Sequence, residues 1–211
     1  MEAMFHYERQ LQAQGVKLIV GVDEAGRGPL AGPVVAGACI LPEAFFIQGL
    51  NDSKLLSERE RERIYQEISL SSCDYGIGIA SVAEIDRLNI LKATFLALHR
   101  AIGGLKQTPS AILVDGKLAP SFGILTIPIV KGDSKSASIA AASVLAKVTR
   151  DRIMKDLAIQ YPQYGFSSHK GYGTKEHLAA VEKFGPCAIH RKTFEPIKAY
   201  FAQSQMSLDL S

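Results

Sequence analysis

A chain of 211 residues, 47% of them hydrophobic, is long enough for one domain, or one domain with an appendage, built on a sizeable core. No apolar run reaches the roughly 18 residues that a membrane span needs, and the start M-E-A-M-F-H-Y-E-R-Q lacks a basic segment followed by an apolar one, so neither a membrane anchor nor a secretory signal is expected. Cys39, Cys73 and Cys187 are far apart with no C-x-x-C, and the five histidines show no ligand spacing with them; this argues against disulfides and zinc and for reduced thiols in the cytoplasm. The net charge of +3 is unevenly spread: residues 1–130 hold 12 basic and 14 acidic groups, and residues 131–198 hold 12 basic and 6 acidic ones. A basic second half beside an acidic first half suits a protein that grips a polyanion with one part and a cation with another, although solvated surface charge gives the same pattern.

Residues 1–16 are polar and Gln-rich, fitting a short helix or a frayed lead. Two β-branched runs, 17–22 and 34–41, read as strands joined by a glycine turn. Ser57, with Glu60 three residues on, forms a capping box for a helix to about Ser69. Residues 73–81 read as a third strand, weakened by glycines. Helices follow over 82–88 and 90–103, the second with apolar residues at 91, 95, 98 and 102. A short buried strand spans 111–114, and another spans 124–130, where Pro128 implies an edge or a bulge. A long helix from Ser134 to about Gln160, capped by Asp133 or Ser134, carries small residues suited to close packing on a sheet, and Pro162 ends it. Helices over 174–184 and 193–203 lie either side of Gly185-Pro186. The pattern is α/β: about five strands of mixed direction flanked by helices, with a C-terminal helical extension and no readable strand order. The expected division is a lead at 1–16, a main α/β domain at 17–160 and an extension at 161–211.

Four acids stand where strands or helices begin or end: Asp23, Glu24, Asp115 and Asp133. An apolar strand runs into Asp23-Glu24, and another runs into Asp115-Gly116. Adjacent strand residues face opposite ways, so Asp23 and Glu24 meet at one point only if the strand ends or bends there. Carboxylates at a sheet edge are costly without a cation, and oxygen ligands without His or Cys select magnesium or manganese. A solvated turn is the common alternative for a bare Asp-Glu. The spacing Gly26-x-Gly28-x-x-x-Gly32 loosely fits a dinucleotide fingerprint, but Pro29 and Pro33 lead into a strand rather than a helix N-terminus.

The run D-E-A-G-R-G-P-L-A-G-P-V-V-A, from Asp23 to Ala36, resembles the opening motif of type 2 ribonuclease H, the bacterial ribonuclease HII family. Asn51 to Ser57, Val114-Asp115-Gly116, Lys131 to Ser136, Ala140 to Asp151 and Gly171 to Thr174 follow in the family's order, so the resemblance covers roughly Leu18 to Tyr200. It implies a ribonuclease H-like five-stranded sheet with a small C-terminal helical part. It implies that Asp23, Glu24, Asp115 and Asp133 are the catalytic acids and hold manganese or magnesium for two-metal hydrolysis, leaving a 5′-phosphate and a 3′-hydroxyl. It implies that Gly26-Arg27-Gly28 reads the ribose 2′-hydroxyl and that Tyr172 packs on the following sugar. Lys54, Lys135, Lys170 and Arg191 are candidate phosphate contacts, the first two lying in matched motifs. Asp151 reads as structural, paired with a neighbouring base.

The expected substrates are RNA–DNA hybrids and duplex DNA with embedded ribonucleotides, cut on the 5′ side of the ribonucleotide. The alternatives are a non-catalytic hybrid-binding module and a DNA-junction nuclease on the same fold. No protein partner is evident, the tail Met206 to Ser211 is too ordinary to read as a clamp-binding segment, and a monomer is expected.

Overall fold

The computed structural model describes residues 2–42, 45, 47–50, 53, 55–71 and 73–208. Helix α1 is His6–Ala13, and strand β1, Ile19–Ala25, follows it. Then come β2 (Val34–Ile40), α2 (Glu58–Leu70), β3 (Asp74–Ala80), α3 (Val82–Leu88) and α4 (Ile90–Gly103). Strands β4 (Ala111–Asp115) and β5 (Leu125–Ile129) lead to the long helix α5 (Ala137–Gln160). Helices α6 (Phe166–His169), α7 (Lys175–Phe184) and α8 (Ile197–Leu208) complete the order. The sheet order is β3-β2-β1-β4-β5. The β1–β2 and β2–β3 pairs are antiparallel, and the β1–β4 and β4–β5 pairs are parallel, so the five-stranded sheet is mixed.

Each face of the sheet is covered by a different helix. Val20, Val22, Ala36 and Ala38 pack with Ala93, Ala97 and Leu98 of α4. On the other face, Cys39 packs with Ala141, Ala142 and Leu145 of α5 and with Ile64 and Ile68 of α2. Glycine sets how near these helices come. A Cβ at Gly21 would lie 2.1 Å from the Ser138 carbonyl carbon, and one at Gly37 would lie 2.3 Å from the Ala142 carbonyl oxygen. Gly76 and Gly78 do the same for α4, where a Cβ would stand 2.0 Å from the carbonyl oxygens of Ala101 and Ala97. The glycines that weaken β3 on propensity therefore admit its covering helix.

Three element boundaries depart from the sequence reading. β1 runs on through Asp23 and Glu24 to Ala25, because β2 continues to pair with it there: Asp23 lies opposite Gly37 and Glu24 opposite Ala36. The parallel pairing with β4 stops at Val22–Val114, so Asp23 emerges on that side just beyond the ladder. Helix α5 starts at Ala137, capped by the Ser136 hydroxyl, while Gly132–Ser134 forms a separate 3-10 turn. Asp133 and Ser134 are thus not its caps. Helix α8 begins only at Ile197, because the Asp86 carboxylate accepts the backbone N–H groups of Lys192 and Thr193 and holds them in a turn.

The first residues are not frayed. Leu11 of α1 packs with Ile139 of α5. Glu8, 5% exposed, accepts hydrogen bonds on Oε1 from the Ser136 hydroxyl, the Ser138 hydroxyl and the Ser138 N–H. A carboxylate from α1 therefore satisfies donors at the N-terminus of α5, where the macrodipole also favours it. Beyond α5, Tyr164, Phe166, Val181 and Ile197 pack with Leu30, Ala31 and Met154, which binds the C-terminal helices to the glycine turn and the end of α5.

Candidate active site

Alternation along β1 decides which acids meet. Gly21 faces α5, so Asp23 faces α5 as well and Glu24 points the other way. On β4, Leu113 packs against Ile139 of α5, and Asp115 follows two residues later on the same face. The 3-10 turn brings in Asp133, itself buried. Asp23, Asp115 and Asp133 each offer a carboxylate oxygen, and these oxygens lie within 4.8 Å of one another. The Gly132 N–H donates to Asp115 Oδ1 at 2.6 Å, which ties the turn to the end of β4. Glu24, the next residue along β1, lines the cavity beside Asp23 and pairs with Arg27 at 3.1 Å.

The electrostatics follow from the crowding. Asp23 is pushed well above the ordinary carboxylate range, first by burial and then by the charges of Glu24 and Asp115. The Glu24 N–H donates to it at 2.7 Å and, with the nearby Ser143 hydroxyl, pulls the other way. Among the described residues, the salt bridges include none to Asp23 or Asp115. Three clustered oxygen donors, one of them driven towards its neutral form, suit a hard divalent cation that restores the charged form.

Beside Asp23 lies a cavity of about 400 Å³, lined by Glu24, Gly26, Arg27, Gly28, Ser143 and Tyr172 among others. The glycine turn along its wall is held from beneath by two buried arginines. Arg191 donates to the carbonyls of Gly26, Arg27 and Gly32. Arg150 donates to those of Ala31, Pro33 and Lys170. Burial and the neighbouring Arg150 lower Arg191 to about 9, which still leaves it charged at neutral pH. A trans peptide sets its N–H opposite its C=O. With the Gly26 and Arg27 carbonyls drawn towards Arg191, the N–H groups of Arg27 and Gly28 point away from it. Gly26 has φ +95°, and a Cβ there would meet Arg150 Nε at 2.0 Å, so only glycine fits.

Several residues named from the sequence stand elsewhere. Arg191 is fully buried and engaged with carbonyls, so it is no phosphate contact; its residue type suggests surface, and only the loop above it explains its burial. Lys170 is turned back on the Ser167 carbonyl. Lys135 is exposed, with Nζ on the Val130 carbonyl at 2.8 Å. Lys54 lies outside the described residues. Asp151 pairs with Lys147 at 2.8 Å. Tyr172 is 46% exposed, with its ring 3.7 Å from where a Gly28 Cβ would stand. The sequence reading missed the role of Arg150, although it lies inside the matched run Ala140 to Asp151.

Residues 20–197 match the family model described as Ribonuclease HII. The chain belongs to the ribonuclease HII family. It is 54% identical to a ribonuclease HII of Caldanaerobacter subterraneus subsp. tengcongensis, over 92% of this chain and 80% of that one. It is 50% identical to that of Syntrophotalea carbinolica, over 92% of this chain and 93% of the other. Its fold superposes on the crystal structure of ribonuclease H2 from Pyrococcus horikoshii OT3 with a TM-score of 0.73 and 28% identity, covering 90% of this chain and 99% of that one. Membership of this metal-dependent ribonuclease HII family makes the protein an endoribonuclease, and the mixed sheet agrees with a ribonuclease H-like fold. No helix among the described residues is long and apolar enough to cross a membrane.

Proposed function

We propose that the protein hydrolyses the RNA strand of RNA–DNA hybrids and cuts duplex DNA on the 5′ side of embedded ribonucleotides, leaving 5′-phosphate and 3′-hydroxyl ends. The observation that carries this reading is the adjacency of two features. Three carboxylates meet at one sheet edge, and the cavity beside Asp23 is walled by Gly26, Arg27, Gly28 and Tyr172. Asp23, Asp115 and Asp133, with Glu24 at the rim, hold divalent ions, magnesium or manganese. When bound, such ions activate water for in-line attack and neutralise charge on the leaving oxygen.

The chain's own residues do the rest. Asp115 is held in place by the Gly132 N–H, and Asp23 by the Glu24 N–H, so the acids are set before substrate arrives. The N–H groups of Arg27 and Gly28, turned outward by Arg191, face the sugar of the ribonucleotide, whose 2′-hydroxyl separates RNA from DNA. Arg27, half exposed and only loosely held by Glu24, reaches a phosphate. Tyr172 packs on the sugar that follows. Lys135, next to the turn that carries Asp133, is a further phosphate contact, and Lys54 is assigned the same role from its sequence motif alone.

The test is a DNA duplex with a single ribonucleotide, run beside an all-DNA duplex and an RNA–DNA hybrid, in magnesium, in manganese and in chelator. The expected result is metal-dependent cutting 5′ of the ribonucleotide, with the all-DNA duplex untouched. Cutting of the hybrid alone would overturn the reading of the junction.

A further inference from the structure

Three of the five histidines have no part in the site, yet they are buried together behind the loop that carries Tyr172. His177 and His190 are fully buried, and His169 is 9% exposed. The rings of His169 and His177 stack at 4.6 Å and 16°.

Their shortest hydrogen bonds favour one set of tautomers. His177 Nδ1 lies 2.9 Å from the Tyr172 carbonyl oxygen, which can only accept, so Nδ1 carries the proton. The Nε2 of a neutral His177 is then bare. It faces His190 Nε2 at 3.0 Å, so His190 carries its proton there. The Nδ1 of His190 is bare in turn and accepts the Cys187 N–H at 2.9 Å, the shortest of its contacts with that residue, whose Sγ lies at 3.2 Å and carbonyl oxygen at 3.3 Å. A chain of donors therefore runs from Cys187 through His190 and His177 to the Tyr172 carbonyl. His169 works from the other side: its Nδ1 accepts the Gly171 N–H at 3.2 Å, and its Nε2–H donates to the Tyr164 carbonyl at 2.8 Å. Burial, and for His190 the adjacent His177, hold both rings of the pair below the usual imidazole range, His190 at about 4, in keeping with neutral rings.

We propose that His177, locked as its Nδ1–H tautomer by His190, is a positioning residue for Tyr172. The loop it serves is short and sharply bent. Lys170 and Gly171 both have positive φ, and a Cβ at Gly171 would meet the Ala31 carbonyl oxygen at 2.6 Å. The Gly171 carbonyl accepts the Leu30 N–H at 2.8 Å, so the loop is joined to the glycine turn as well. The exposed Tyr172 ring thus rises from a backbone held by the His177 imidazole and the Thr174 N–H at its carbonyl and by the His169 carbonyl at its N–H. This rests on the proposed contact of Tyr172 with the sugar.

The experiment is a double-mutant cycle on the single-ribonucleotide duplex, reading kcat and KM for the wild type, His177→Phe, Tyr172→Ala and the pair. His177→Phe lowers kcat/KM about tenfold in the wild-type background and leaves it nearly unchanged in the Tyr172→Ala background. His177→Asn, which keeps a donor near the Nδ1 position, stays within about threefold of wild type. Equal losses in both backgrounds, or an Asn variant as impaired as the Phe variant, would overturn the proposal. Should His177→Phe not fold, nitrogen-15 spectra of the wild-type imidazoles decide it: Nδ1–H on His177 with Nε2–H on His190 is expected, and the reverse would overturn it. A Tyr172→Ala protein with unchanged kinetics would instead overturn the sugar contact, whatever the tautomers.

Discussion

Two groups of like charge are buried within a few residues of each other, and they are stabilised in opposite ways. At the sheet edge, Asp23, Asp115 and Asp133 gather negative charge, and Asp23 is driven towards its neutral form. Under the glycine turn, Arg150 and Arg191 gather positive charge, and each is answered by backbone carbonyls. Fixed carbonyl dipoles travel with the fold, so the positive pair is permanent structure. At the acidic edge, backbone N–H groups donate to Asp23 and Asp115, yet burial and its acidic neighbours still hold Asp23 well above the ordinary carboxylate range. Under the proposed function the difference matches the roles: the acidic edge takes up a cation, and the arginine pair shapes the loop.

Substitution at the acidic edge has the largest expected effect on activity and little on folding. Asp115→Asn keeps an oxygen for the Gly132 N–H but loses the charge. Its cleavage rate is expected to fall by at least about 10³-fold, roughly 4 kcal/mol of transition-state stabilisation, with the melting temperature almost unchanged. Undiminished cleavage would remove Asp115 from the chemistry.

The opposite pattern is expected beneath the turn. Arg191→Met strips donors from the carbonyls of Gly26, Arg27 and Gly32 together, at a cost of about 3 kcal/mol or more in urea unfolding. A loss under about 1 kcal/mol would mean that water replaces the guanidinium freely.

Glu8 sharpens the comparison, because it is a buried carboxylate outside the acidic edge. Its Oε1 is satisfied by Ser136 and Ser138, as the arginines are by carbonyls. Glu8→Gln is expected to cost about 1 kcal/mol of stability and to leave cleavage within about threefold of wild type. A catalytic loss comparable to that of Asp115→Asn would join it to the site.

Much of this molecule is written locally. The capping boxes at Ser57 and Ser81, the apolar spacing of α4 and the edge position of the strand with Pro128 all follow from residues within a few positions of each other. What escapes local reading is set by distance along the chain. Strand order depends on pairings such as Val22 with Val114. Glu8 meets Ser136 across 128 residues, and Arg191 meets Gly26 across 165. An arginine in sequence reads as surface, and only the carbonyls above it make burial tolerable. Glycines in a strand read as weakness, and only the helix they admit reveals their use. Alternation along β1 set a condition on Asp23 and Glu24, that they meet only where the strand ends or bends, and both line one cavity at the end of that strand.

The most direct measurement separates reading from cutting. Asp115→Asn protein is titrated with a duplex carrying one ribonucleotide and with the same duplex entirely of DNA, at fixed magnesium and salt. If the glycine turn reads the sugar independently of the acidic edge, the ribonucleotide duplex binds about tenfold tighter, some 1.4 kcal/mol, while cutting is absent. Equal affinity for the two duplexes would contradict the account, because discrimination would then reside in the chemistry at the carboxylates.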